Sequence, residues 1–253
     1  TNNVSLASGT TLDISHATTP AVIASLDGAT GSAVSLGVQS LTVGGATNST
    51  FDGVIDGTGG LTKQGSATVT LGANNTFTGT TAVTGGTLAL AASGQVGSTG
   101  LALRNTGSTF DASASAAPLA FASLEADAGT QLVLGGGGLI TGDSGNYTFD
   151  GTLSGAGGLV KNGSGTLSLG APNTFAGGTT LNAGTLSLGN STALGLADIT
   201  VNGNGSLATN APANAPVSVA NGVTLNNGAT LGVSGASPVT LSGNVTGDGG
   251  LSL

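Results

Sequence analysis

Apolar residues along this chain come in short triplets, each with a small or polar residue at its centre. Val4-Ser5-Leu6, Leu12-Asp13-Ile14, Leu41-Thr42-Val43, Val69-Thr70-Leu71, Leu88-Ala89-Leu90 and Leu101-Ala102-Leu103 set the pattern in the first half. Leu167-Ser168-Leu169, Leu186-Ser187-Leu188, Ile199-Thr200-Val201, Val223-Thr224-Leu225 and Val239-Thr240-Leu241 continue it. Alternation of this kind is the signature of a strand, because successive side chains point to opposite faces. The two apolar residues of a triplet face a core, and the Ser or Thr between them faces solvent. Asn-Gly, Gly-Gly and Ser-Gly pairs punctuate the triplets, as tight turns require. No stretch carries a helical period with caps.

Three all-β solutions compete for such short strands. A sandwich or an up-and-down barrel calls for strands nearer five or six residues. A parallel β-helix uses short strands stacked coil upon coil, with small residues at the corners. The chain favours the third through an internal repeat. Residues 51–90 align without a gap on residues 149–188, with roughly 23 of 40 positions identical. A truncated third copy begins at Leu241, where Gly247 to Leu251 matches Gly57 to Leu61. Within each full copy the strong triplets lie 19 residues apart, Leu71 to Leu90 and Leu169 to Leu188. That spacing suits one coil. The expectation is therefore a single-stranded, right-handed parallel β-helix running continuously over residues 1–253, a rod of roughly 12 coils and about 60 Å. The proline-bearing stretch from Ala211 to Pro216 reads as a turn, and the strand pattern resumes at Val217.

Composition sharpens the reading. Charged residues are 6% of the 253, glycines number 48, and aromatics are 3%. Low charge with 38% hydrophobic residues is unlike a disordered chain, which combines low hydrophobicity with high charge. The net charge is -8, and only Lys63, Arg104 and Lys161 are basic. Phosphate recognition needs clustered bases, so nucleic acid is excluded as a partner and anionic lipid is disfavoured. No apolar run approaches the length of a membrane span. The start, Thr1-Asn2-Asn3-Val4, lacks the regions of a signal peptide, so any targeting signal is expected outside this segment. With no cysteine there is no disulfide to obstruct export of an unfolded chain.

The repeat resembles the autotransporter-associated β-strand repeat of bacterial passenger domains. The second copy carries that pattern as Gly155, Gly157, Leu159, Lys161, Gly163, Gly165, Leu167 and Leu169, then Asn173, Phe175, Gly177, Thr179, Leu181, Gly184 and Leu186. The first carries Gly57, Gly59, Leu61, Lys63, Gly65, Val69, Leu71, Asn75, Phe77, Gly79, Thr81, Val83, Gly86 and Leu88, and departs from it at Ala67. The truncated copy has Leu253 at the lysine position. The resemblance implies export to the bacterial surface through a C-terminal outer-membrane barrel, and an extracellular location.

Candidates for chemistry are few. His16 is the only histidine, so any Ser-His-Asp triad would have to use it, and no G-x-S-x-G elbow is present. Zinc has one histidine and no cysteine to hold it. Glu125 and Asp127 can share a strand face and are the nearest approach to a glycosidase pair, with no basic residue in their own motif. Asp143, after the glycines at 135–138, faintly echoes a calcium-binding glycine repeat without its motif. No cofactor is expected. Lys63 and Lys161 read as turn residues that cap carbonyls or pair with a carboxylate. Phe77 and Phe175 read as stacked core aromatics, with Leu61, Leu71, Leu88, Leu159, Leu169 and Leu186 as core.

The function expected is that of a non-enzymatic adhesin or structural stalk. Its flat Thr, Ser and Asn faces would meet a host surface, matrix, glycans or identical passengers by many weak contacts. Two alternatives stand beside it: a filament built by end-to-end stacking, and a stem whose enzyme lies outside this segment.

Overall fold

The computed structural model describes residues 2–212, 215–226, 228–235 and 237–252. Thr1, Leu253, and Ala213 and Asn214 of the proline-bearing stretch lie outside the described residues. The described residues form 32 strands and no helix. Strands run from 3 to 5 residues, too short for a sandwich and suited to a solenoid. Each pairs in parallel with a counterpart one circuit away, as in Asn3–Leu6 on Ser25–Gly28 and Thr166–Leu169 on Gly184–Leu188. The fold is a parallel β-solenoid of about 12 turns.

Each circuit visits three faces in a fixed order. Face one is an 8-stranded sheet from Asn3–Leu6 to Thr152–Gly155, resumed by the pair Val217–Val219 and Val239–Leu241. Face two opens with three strands, Thr11–Asp13 to Val54–Asp56, and resumes as seven strands from Leu119–Phe121 to Val245–Gly247. Face three is unbroken, with 12 strands from Ala21–Ile23 to Gly250–Ser252. Circuit length is not constant. Contacts between successive coils span 20 residues at Ile55 and Asn75, 23 at Arg104 and Asp127, and 28 at Thr209 and Ser237. Extra residues are absorbed in corners, where loops tolerate them.

The core is the column enclosed by the three faces. Phe51, Leu71 and Leu90 stack in register on face one, and Leu41, Leu61, Thr81, Leu101 and Leu124 on face three. All are buried. Phe110 meets Phe121 edge to face, with centroids 6.1 Å apart. The corners are close-packed backbone. A Cβ on Gly59 would lie 1.6 Å from the Gln39 carbonyl oxygen, so no other residue fits there. Gly57 and Gly155 take φ of 111° and 103°, and Gly247 takes 100° in the truncated copy. The same corner conformation, which only glycine adopts readily, thus recurs at matched positions.

The two full copies do not occupy the same faces. Leu61 and Lys63 lie on face three, whereas Leu159 and Lys161 lie on face two. Leu71 and Leu88 lie on face one, and their counterparts Leu169 and Leu186 on face three. The intervening stretch is not a whole number of circuits, so the matched copies are rotated by one face about the axis.

Candidate functional site

Leu61, Leu71, Phe77 and Leu88 are buried, and so are Leu159, Leu169, Phe175 and Leu186. The burial pattern within each copy is the same although the faces differ. Polarity is overruled at one repeat position: Thr81 and Thr179 take inward positions, between Leu61 and Leu101 and between Leu159 and Ile199. Both are buried. Thr179 Oγ1 donates to the Leu194 carbonyl at 3.1 Å, while Thr81 Oγ1 has no partner.

Lys63 and Lys161 cap carbonyls, as expected, but they do so from strands and not from a turn. Each sits on the inward row of its strand, two residues after a core leucine, and each is only 1% exposed. The ammonium curls back to the corner. Lys63 Nζ donates to the carbonyls of Gln64, Gly65 and Gly85 at 2.8, 3.1 and 3.0 Å. Lys161 Nζ donates to those of Asn162, Gly163 and Ala183 at 2.5, 3.0 and 3.5 Å. Three donors meet three acceptors, so the ammonium is satisfied without an ion pair. The third acceptor comes from the next coil, which makes each lysine a clamp between circuits.

Burial holds both ammonium groups below the ordinary lysine value of 10.5. In the window between the depressed folded value and 10.5, the unfolded chain binds more protons than the folded one. Stability therefore rises with pH across that window. Tyr147 acts in the opposite sense, because its hydrogen bond to Asp143 raises it above 10.0 and stabilises only its protonated form. Urea midpoints measured through the alkaline range should rise before they fall. In a Lys63→Met, Lys161→Met double variant the rise should vanish and the fall remain. A rise of equal size in the variant would refute the assignment.

Asn75 and Asn173, positions of the repeat pattern to which the sequence assigns no role, join successive coils. Both are 1% exposed, in segments with no regular strand. Asn75 Oδ1 accepts the Ile55 N–H at 2.9 Å, and its Nδ2 donates to the carbonyls of Ala73 and Gln95, both at 2.9 Å. Asn173 Oδ1 accepts the Leu153 N–H at 2.7 Å, and its Nδ2 donates to Ala193 at 2.7 Å. A side-chain amide thereby replaces the missing peptide group in the ladder. The signal was available, since Asn occupies the same place in both copies beside a core Phe.

The remaining candidates stay apart. His16 is exposed and its Nδ1 lies 2.9 Å from Ser15 Oγ, but Asp13 receives the Ser15 backbone N–H and does not orient the ring. Ser15 holds the Asp13 carboxyl below its ordinary value. Asp143 accepts from Gly145 N and Tyr147 Oη, so both its oxygens are engaged by the protein. Glu125 and Asp127 do share a face, and a base does reach them. Arg104, from the preceding coil, bonds Glu125 and lies 3.1 Å from Asp127. Its partners are 21 and 23 residues away in sequence, which is why their own motif did not show it. All three side chains are 40% exposed or more. Exposed pairs contribute little, so Arg104→Ala should cost less than about 1 kcal/mol in a urea titration. A loss several times larger would mark the cluster as structural.

Face two carries a regular outward surface. Val160, Thr180, Thr200, Thr224 and Thr246 stack outward in register. Beside them Asn182 donates to Asn162 at 2.7 Å, Asn202 to Asn182 at 2.9 Å and Asn226 to Asn202 at 2.5 Å. Two parallel rows result, about 7 Å apart with rungs about 4.8 Å apart.

A profile of the passenger-associated-transport-repeat matches residues 61–90 and 159–188, the same coils that the buried lysines and asparagines clamp. The autotransporter adhesin BmaC of Brucella suis biovar 1 (strain 1330) is 37% identical over 166 residues. The chain is an autotransporter passenger segment. That match covers 66% of this chain and 5% of BmaC, so the passenger segment spans a small fraction of its relative's length. No solved structure matches. As passenger sequence, the segment belongs outside the cell, at the bacterial surface.

Proposed function

We propose that this passenger segment is an adhesive, non-catalytic length of stalk, which contacts host surface, matrix, glycans or identical passengers through its outward rows. The observation that carries this reading is the double row of Thr and Asn on face two, where the amide ladder fixes side chains at one repeating spacing. Side chains held by their neighbours lose less freedom on binding, so each weak contact keeps more of its energy. That the Brucella relative is an adhesin supports the same reading. In this reading a covalent C-terminal outer-membrane barrel anchors the whole protein.

One segment alone should bind weakly, and avidity should grow with the number of rungs presented. A tandem array of two or three segments is therefore expected to bind cells or matrix at least about 10²-fold more tightly than one. Equal apparent affinity per chain would replace a distributed surface with a discrete site. Turnover of a polysaccharide that is lost in Glu125→Gln would replace adhesion with catalysis.

A further inference from the structure

Face two is interrupted at its corner with face one. The outward column two residues before the threonines reads Gly158, Gly178, Asp198, Gly222 and Asn244. Gly222 leaves an empty rung between Asp198 and Asn244. A cleft of about 480 Å³ opens there, floored by Gly222 and walled by Asp198, Asn244, Thr224, Thr246 and Ser242. A second hollow of about 280 Å³ adjoins it across Asp198, walled by Asn221 and Leu196. Leu196 is 67% exposed.

The cleft is built. Asp198 Oδ1 accepts the Gly222 N–H at 2.9 Å, which fixes the carboxylate at the rim. Its Oδ2 accepts nothing from the described residues. Asn221 spends both amide hydrogens on the carbonyls of Gly195 and Ala197, which leaves its Oδ1 as a free acceptor. Thr224 and Thr246 hydroxyls stand 3.4 Å apart on the other wall. A Cβ on Gly222 would lie 2.8 Å from Asp198 Oδ1, so the glycine is what keeps the hollow open.

We infer that this cleft binds a neutral sugar unit of a glycan. The inference rests on the adhesive reading above and names a ligand for it. Its volume falls in the range of small-ligand sites. The walls mix a carboxylate, amides and hydroxyls, which together donate to and accept from vicinal hydroxyl groups. Leu196, across Asp198 in the adjoining hollow, offers an apolar edge to a ring that extends past the rim. No base lines the cleft: Lys63 and Lys161 are buried, and Arg104 is paired on face three. An acidic sugar would therefore meet the Asp198 charge with nothing to offset it. A metal ion is equally ill-served, since no group of three or more acidic or histidine side chains exists among the described residues.

The test uses the purified segment with N-acetyllactosamine and maltose as neutral probes and sialyllactose as an acidic one. Saturation-transfer NMR should show at least one neutral probe binding and sialyllactose not. Asp198→Asn keeps the bond to Gly222 and removes the charge. It should weaken neutral binding about tenfold, the scale of one charge-assisted hydrogen bond. Gly222→Ala puts a methyl on the floor of the cleft 2.8 Å from Asp198 Oδ1, which displaces the carboxylate, and should weaken neutral binding at least about tenfold while circular dichroism shows the fold retained. If neither neutral probe binds, if sialyllactose binds as well as they do, or if both variants bind like the parent, the inference fails. A tandem array that still adheres to cells after any of these results leaves the stalk reading standing and removes only the cleft.

Discussion

Leu169→Asp is expected to destabilise the segment by about 4 kcal/mol or more, a large share of a typical folding stability. Leu169 is fully buried and lies in register between Phe149 below and Leu188 above, both also buried. The substitution removes an apolar side chain, at a cost of about 2–5 kcal/mol for the cavity alone. It then places a carboxylate where no base is within the column, since Lys161 already gives its donors to three carbonyls. Solenoid stability is a sum of units and nearest-neighbour interfaces. The damage should therefore begin in the strands Tyr147–Phe149, Thr166–Leu169 and Gly184–Leu188 and spread outward. Urea unfolding gives the size of the loss, and hydrogen exchange gives its place. A variant with the parent's midpoint and protected amides in those strands would show that this column is not the core.

Asn173→Ala carries the second large effect, at about 2–4 kcal/mol. The change strands the Leu153 N–H and the Ala193 carbonyl, both bonded by the one amide at 2.7 Å in a site that excludes water. A buried group left without its partner costs more than the bond was worth, because nothing replaces it. Asn75→Ala should strand the Ile55 N–H in the other copy at a smaller cost, because the Gln95 and Ala73 carbonyls keep backbone donors. The sharpest readout is the Leu153 amide, whose exchange should quicken before global unfolding is reached. Unaltered exchange there, together with an unaltered midpoint, would remove the asparagine from the ladder.

Much of the scaffold was legible because alternation has only one period to offer. Leu167 and Leu169, with Ser168 between them, can hide both leucines only as a strand, and Gly165 before it and Gly170 after it bound it. The candidate surface was legible only in outline. That the Ser or Thr at the centre of a triplet faces outward follows from parity, and the same parity turns Thr81 and Thr179 inward with Val83 and Leu181, where polarity alone would have placed them outside. The lysines cap carbonyls as their charge suggests, but from strand positions. Parity after Leu61 and Leu159 points inward, yet a charge argued for a corner; the structure satisfies both, with an inward stem and a head at the corner carbonyls.

By itself the sequence determined strand identity, the solenoid class, the corner glycines and the matched burial of the two copies, since each follows from side-chain size and polarity over a few residues. Tertiary structure decided what stacks on what. Coil length varies with the corner insertions, so no local pattern fixes which residues share a rung. The third-turn rotation between the copies, the Arg104 bridge to Glu125 and Asp127, and the asparagine rows arise from register summed over many residues. The hollow beside Asp198 has the same origin. Registers of that kind are set by the stacking of whole circuits, which lowers the free energy only when every rung above and below is satisfied at once.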